Sequence, residues 1–543
     1  MGSTRRISSW HGLVALGTTL VLILSACSSN DEEADNSLNY VVNAELVTTN
    51  AGSAVGFSTD AALLTDRLYP AAYINGPKGQ VIPNPDFIDA HSLPGVQQSA
   101  VFEIADQTKF SDGVPLTCDS FVLAYAASKL DAFHSFLPMM SQVSEVRCAS
   151  GSKKAEVYYH EGFGDRWRQT FAAGTLLPAH AIAARMDISL ERLTQALQNP
   201  EEDPELVQVA ADIWNNGFNL SNFDPALQVA SGPYKIASVG NSGEVYLTRN
   251  EYYVGSAAEI GDIVVWPASA DTTKLGEDRR IAVAEAAAVA KTNWVNRDDS
   301  YNPYNVEPVA GILAEQLLLS TNGVFSDPEM RRAFSACIDQ RTIAEISSDI
   351  SGVDVAPSSV RTVRLNDPLA NRLGELTESH LNVDIEAAKA LEGREINIGY
   401  LAPNERYAAM VRNIQETCEP AGITINDVSR DDASISGLSR TEAAGDGVPI
   451  TVGDDSQEIP IFDAFINSID PEQAFSGLAK TTQDIDAARV AELDSWEQMS
   501  TIPLAAQPRI FITRNDVSNL AVNSTKAGIG WNLDRWEVAD TEQ

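Results

Sequence analysis

None of the short motifs that announce common chemistry is present. The 543 residues hold no GxSxG, HExxH, GxxxxGK[ST] or Rossmann GxGxxG. The nucleophile-elbow hydrolases, helical zinc proteases, P-loop proteins and dinucleotide binders are thereby excluded in their usual forms. CxxC is absent too, which removes thioredoxin-like and zinc-ribbon readings. Histidine is scarce, with six in all. His11 lies near the start, and His91, His134, His160, His180 and His380 are scattered without ligand-like spacing. No metal and no cofactor is expected, and the chain reads as a non-enzyme. Triads are set by geometry, so these absences narrow the chemistry rather than close it.

Basic residues are also in short supply. Lys and Arg number 38 against 75 Asp and Glu, a formal charge of −37. Such a chain repels nucleic acid and anionic headgroups. Most of the acid reads as a solvated surface. Apolar content is ordinary at 44%, and a chain of this length is expected to form two or three globular domains.

Long apolar runs are missing beyond the first 30 residues. The one near the start, Leu13 to Leu24, follows Arg5 and Arg6 and ends in Ser25-Ala26-Cys27. It is too short for a spanning helix, which needs roughly 20 apolar residues. A charged start, an apolar run and small residues form a secretory signal. Leu24-Ser25-Ala26-Cys27 resembles a bacterial lipobox, in which the cysteine receives lipid and becomes the mature N-terminus. Ser28 to Glu33 is polar and acidic, as suits a hydrated tether. Cys27 is thus expected to anchor the chain on the outer side of the cell membrane, with residues 1–26 removed. Cys118, Cys148, Cys337 and Cys418 remain, an even number in an exported chain, and sequence alone allows three pairings.

Along the chain, Asn39 opens a β-branched run that reads as a first strand. A turn at Ser111-Asp112-Gly113 precedes a helix from about Asp119, with Phe121, Val122 and Tyr125 at helical spacing. Residues 155–164 read as a strand leading into a Gly-rich turn. Residues 231–255 read as a hairpin turning at Gly240 to Gly243, and Ile263 to Val265 as a strand. Asp327 and Pro328 are a cap and first turn for a helix whose stripe is Met330, Phe334, Cys337 and Ile338. Residues 394–425 read as strand, helix, Gly turn and strand, a βαβ unit with a parallel pair. Residues 430–460 are rich in Gly, Asp and Ser and read as a loop or lid. No repeat of fixed period occurs.

Five stretches, in order, resemble the family-5 solute-binding proteins of ABC importers, the dipeptide, oligopeptide and nickel-binding group, with an actinobacterial cast to the cysteines. KFSDGVPLTCDSF resembles F-S-D-G-x-P-L-T-x-D-D. LLPAH, from Leu176 to His180, resembles L-x-P-x-H. SGPYKI with VYLTRNEYYVG resembles G-P-Y…L-x-R-N-x-x-Y-x-G. MRRAFSACIDQRTI resembles V-R-x-A-x-x-x-A-I-D-R. IPLAAQPRIFI resembles I-P-L-Y-x-x-P, with Ala505 in place of the aromatic. Most of these residues read as scaffold, turns and capped helices, rather than as ligand contacts.

The resemblance implies an α/β, two-lobe periplasmic-binding-protein-like fold, type II, with an inserted subdomain and a ligand cleft between lobes. The first lobe would comprise 38–70, 225–270 and 501–543, the inserted subdomain 71–224 and the second lobe 275–500, behind a tether at 27–37. Crossover strands are expected near 266–272 and 499–504. Each lobe would then hold one cysteine pair, Cys118 with Cys148 and Cys337 with Cys418. Ligand contacts are expected near strand ends facing the cleft: Asn43, Glu45, Trp294, Asn467 and Asp470. Trp294 is equally a candidate for core packing. In the family's peptide binders a second-lobe aspartate in A-D-x-x-D/E-P meets the ligand's free amine. Here INSIDP puts Asn467 at that place, so amine recognition is expected to weaken unless Asp470 or Asp463 supplies the carboxylate.

The implied function is a monomeric, lipid-anchored receptor that passes short peptides to ABC permease subunits powered by separate ATPases. Its only membrane contact would be the lipid, and it would have no nucleic-acid partner. The alternatives are another ligand (a nickel chelate, an oligosaccharide or haem) or an envelope lipoprotein without a transport role.

Overall fold

The computed structural model describes residues 37–77, 80–93, 95, 97–438, 462–474 and 485–539. Cys27 and its lipobox, the tether up to residue 36, and residues 439–460 of the expected lid lie outside that set.

One mixed sheet of ten strands organises the chain. Its order is Thr424–Asp427, Glu395–Gly399, Ala464–Ile469, Tyr304–Leu319, Thr501–Arg514, Ile281–Ala286, Leu38–Val41, Asp262–Trp266, Val245–Arg249 and Tyr234–Val239. The two strands in the middle are the longest, at 16 and 14 residues. They run antiparallel along their whole length, and each serves both halves of the sheet. Ala314 to Leu319 pairs with Ala464–Ile469, while Ile510 to Thr513 pairs with Ile281–Ala286. Strands flanked on both sides lose their polar alternation. Ile281–Ala286 and Ala464–Ile469 are buried at every position.

The two crossing strands slip register between Ala310 and Ala314. Gly311 sits in this bulge, and a Cβ there would lie 2.6 Å from the Gln507 carbonyl oxygen. A bulge bends its strand and adds local twist, so the two halves of the sheet are joined through a bend.

The expected crossover near 266–272 is a turn, and the crossing strand is Tyr304–Leu319. Ile281–Ala286, placed at the start of the second lobe by the sequence division, pairs in parallel with Leu38–Val41 instead. The reason is local: Tyr304–Leu319 contains Pro308, Gly311, Glu315 and Gln316, which hide its strand character.

Between Val41 and Tyr234 the chain leaves the large sheet. It forms a four-stranded antiparallel sheet in the order Ile88–Leu93, Ser99–Ile104, Lys154–Tyr159, Val143–Arg147. Helices Asp119–Lys129, Ala179–Arg185, Leu190–Gln198 and Pro204–Asn216 accompany it. Phe102, Phe121 and Phe171 pack there with ring centroids 4.7–5.5 Å apart. At the other end of the large sheet, Glu395–Gly399, helix Glu405–Cys418 and Thr424–Asp427 form the expected parallel βαβ unit. Its helices and those around it start on acids or amides: Asp327, Asp339, Asp367, Asp384 and Asn404 each accept a backbone N–H of the first turn. Anionic caps also oppose the positive helix start, which gives part of the acidic surplus a structural use.

Both expected disulfides are present. Cys118–Cys148 closes 30 residues between a helix start and a strand end, and Cys337–Cys418 closes 81 between two helix ends. Buried ion pairs brace the middle of the sheet. Glu315 holds the Arg406 guanidinium, which also donates to Ser347 at 3.1 Å. Glu285 holds Arg509 and accepts from Tyr40 at 2.9 Å and from the Ile529 N–H at 2.9 Å.

Two outcomes follow. Replacing Cys337 and Cys418 by serine lowers unfolding free energy by about 4–5 kcal/mol on the chain-entropy account, and replacing Cys118 and Cys148 by somewhat less. Denaturant titration of the two double variants checks the order. Gly311→Ala costs about 1–3 kcal/mol, since a rigid carbonyl must move. An unchanged midpoint for Gly311→Ala contradicts the tight bulge.

Candidate functional site

Where the crossing strands meet the inserted subdomain, segments from both halves of the sheet line a partly open cavity of about 120 Å³. Ligand sites of small molecules favour domain junctions. Five stretches line it: 51–62, 136–140, 169–175, 469–470 and Lys526.

The first wall is the short helix Ala54–Ser58. Ser53 caps it, accepting from the Gly56 N–H at 2.9 Å. Gly56 lies so close to the Asn50 carbonyl that a Cβ would come within 1.9 Å of it, so only glycine fits. The Phe57 ring lies 4.1 Å from that of Phe136. Leu137, Pro138, Met139 and Met140 continue the apolar wall. Beyond the helix, Asp60 takes a left-handed backbone (φ 52), which aspartate tolerates better than most residues. Asp60 pairs with Lys526, whose ammonium lies 4.7 Å from the Phe57 ring centroid.

The second wall is the end of Ala464–Ile469 and the Asp470-Pro471 turn. Arg364 grips Asp470 with Nε at 3.0 and 3.2 Å and Nη2 at 2.7 Å. Its Nη1 lies 3.5 Å from Glu472. Burial costs the guanidinium some charge stability, but Asp470 and Glu472 more than offset it and raise its pKa. Glu472 itself is raised, first by burial, with Arg364 pulling the other way. Arg166, from the inserted subdomain, is lowered by burial while Glu472 and Asp470 act to raise it. It donates to Gln169 Oε1 at 3.0 and 2.7 Å. The charge group around Asp470 therefore draws on both halves.

Direct bonds also bridge the halves. Asn467 Nδ2 donates to the Phe57 carbonyl at 3.3 Å, and the Ile435 N–H donates to Ser58 Oγ at 2.9 Å. Ala54, Leu318, Ile435, Phe465 and Ile469 pack together at the same boundary.

Of the five residues named from sequence, Asp470 lines the cavity. Asn467 is buried beside it and holds the opposite backbone. Asn43, Glu45 and Trp294 are not on its lining. Glu45 accepts from Ser269 Oγ at 2.6 Å, a contact within the first half. Trp294 is half-buried, edge-on to Tyr304 at 5.0 Å and over Gly276. Asp463, the other carboxylate considered, sits at the opposite end of its strand and accepts from the Asn397 N–H at 2.8 Å; burial raises its pKa. Sequence reasoning missed Phe57, Asp60, Phe136, Met139, Met140, Arg364 and Lys526. The one local signal was the cap-and-glycine run Ser53 to Phe57, which marks a constrained aromatic.

Arg364→Met strands Asp470 in the wall and costs about 3–5 kcal/mol, whereas Arg364→Met with Asp470→Leu recovers most of that loss. Chemical denaturation of both variants checks this. An additive double variant contradicts the pairing.

Three comparisons place this geometry. Residues 96–444 match the family model described as bacterial extracellular solute-binding proteins, family 5 middle. An uncharacterized lipoprotein of Mycobacterium tuberculosis is 30% identical over 98% of this chain and 99% of its own. The oligopeptide-binding protein of Thermus thermophilus, solved with a pentapeptide, superposes with TM-score 0.64 at 14% identity, over 93% of this chain and 96% of its own. The binding protein AgaA of A. tumefaciens, solved with agropinic acid, gives TM-score 0.64 at 14% identity, over 93% and 99%. The structural likenesses establish the two-lobe solute-binding fold.

Proposed function

The chain belongs to the family 5 bacterial extracellular solute-binding proteins, and we propose that it is the lipid-anchored binding component of an ABC import system. The family is one of receptors rather than enzymes. In this reading the protein captures short peptides or peptide-like solutes between its lobes and delivers them to permease subunits. The supporting observation is the cavity itself, whose walls come from both sides of the crossing strands. Such a site is completed only when the lobes are together, which couples binding to hinge closure. Asn43, Glu45 and Trp294 lie off the lining of this cavity and stand in this reading as contacts elsewhere in the interlobe cleft.

The anchor is Cys27. Among the described residues no helix is long and apolar enough to cross a membrane, and the M. tuberculosis relative is named as a lipoprotein. Lipid at Cys27 would hold the receptor beside its permease.

Mass spectrometry of solute released on denaturing the purified chain tests the binding role. A stoichiometric compound that raises Tm on re-addition, growing with concentration as RT ln(1 + [L]/Kd), supports it. An empty protein that no peptide pool stabilises contradicts it. For the anchor, Cys27→Ser is expected to abolish lipid labelling and shift the protein to the soluble fraction. Unchanged membrane partition contradicts lipidation.

A further inference from the structure

Each formal charge on the described lining of the cavity already has an opposite charge from the protein. Asp60 is paired with Lys526, and Asp470 receives three contacts from Arg364. Both members of the second pair are buried, at 6% and 3% side-chain exposure. No charge on the described lining is left unneutralised to balance a ligand's ammonium or carboxylate. Burying a ligand charge without a partner is expensive.

What the wall does offer is apolar. Phe57, Phe136, Leu137, Met139, Met140 and Ile469 face the space. Methionine side chains re-pack around irregular shapes and make favourable contacts with aromatic rings. The polar provision is small and consists mostly of donors. Gln169 gives its Oε1 to Arg166, which leaves its Nε2 to donate. The Lys526 ammonium has three donors, one of which meets Asp60. Thr175 is committed to the Ala172 carbonyl at 2.6 Å, and Thr170 shares its hydroxyl with Tyr159 at 3.1 Å. Such a wall suits carbonyl oxygens on an otherwise hydrophobic body.

We propose that the enclosed part of the ligand is uncharged and largely apolar, carrying one or two carbonyl acceptors: an end-blocked hydrophobic peptide or a neutral solute of like chemistry, not a free zwitterionic peptide. This deepens the reading above and rests on the cavity being the binding site.

The test uses the chain from residue 28 onward at pH 7. Calorimetry compares N-acetyl-Leu-Phe-Leu-amide with zwitterionic Leu-Phe-Leu. The neutral fluorophore N-phenyl-1-naphthylamine reports on the cavity separately, and Ala172→Trp and Ala173→Trp plug it from two adjacent half-buried positions, so one variant suffices if the other misfolds. The blocked peptide is expected to bind at least ~30-fold more tightly than the free one, roughly 2 kcal/mol, and to displace the fluorophore. Both signals should be lost in the plugged variants. Equal binding, or preference for the free peptide, with fluorophore displacement intact overturns the neutral-ligand inference and leaves the receptor reading standing. If neither peptide nor fluorophore binds, or plugging changes nothing, the cavity is not the site and both readings fall.

Discussion

The two halves of the large sheet are joined by the antiparallel pairing of Tyr304–Leu319 with Thr501–Arg514. These two strands are the only elements of the large sheet, among the described residues, that serve both of its halves. Their backbone bonds are made once and shared, so each half is held to the other without a separate linker. The bulge at Gly311 puts the bend inside this ladder rather than in a loop. A bulge bends its strand and increases the local twist, so the angle between the halves is set within the ladder itself. The cavity walls lie beside these strands. Displacing the ladder would separate Phe57 from Asn467 and Ser58 from Ile435, and with them the enclosure.

Charge is distributed in two regimes. Outside, the chain is strongly acidic, and part of that acid caps helices at Asp327, Asp339, Asp367 and Asp384. Inside, several charges come in closed pairs: Glu315 with Arg406, Glu285 with Arg509, Asp470 with Arg364 and Arg67 with Asp534. Buried pairs of this kind add little net stability compared with apolar packing, yet breaking one is costly. They therefore fix which surfaces meet. At the cavity this compensation leaves an electrically balanced, apolar wall in a protein whose surface is anything but balanced.

Local chemistry made much of the fold legible. The hairpin at 234–249, the capped helix at Pro328–Ala336 and the parallel βαβ unit carry their signals within a few residues of each other. The crossing strand at 304–319 does not. It is buried along its second half and interrupted by Pro308, Gly311, Glu315 and Gln316, so neither alternation nor a clean apolar run survives. A division of the chain near 270 therefore separates Ile281–Ala286 from its parallel partner Leu38–Val41. The cavity was harder still. Its walls come from segments hundreds of residues apart, and Lys526 meets Asp60 across 466 positions. A single sequence records no such adjacency. INSIDP points to Asp470 through its resemblance to A-D-x-x-D/E-P, whereas Phe57 and Phe136 are brought together only by the folded chain.

In the proposed reading, one bend in the shared ladder brings the two lobes together around a ligand. Pulsed electron–electron distance measurement tests it most directly. Spin labels at Val209, on the inserted subdomain, and Val490, on a helix beyond the second half of the sheet, occupy exposed positions. In a chain lacking Cys27 the remaining cysteines are disulfide-bonded, so labelling is specific. The account predicts a broad or long distance in protein stripped of solute, and a single narrow, shorter one when the co-purified solute is restored. One identical narrow distribution in both states, with solute binding confirmed, would contradict it.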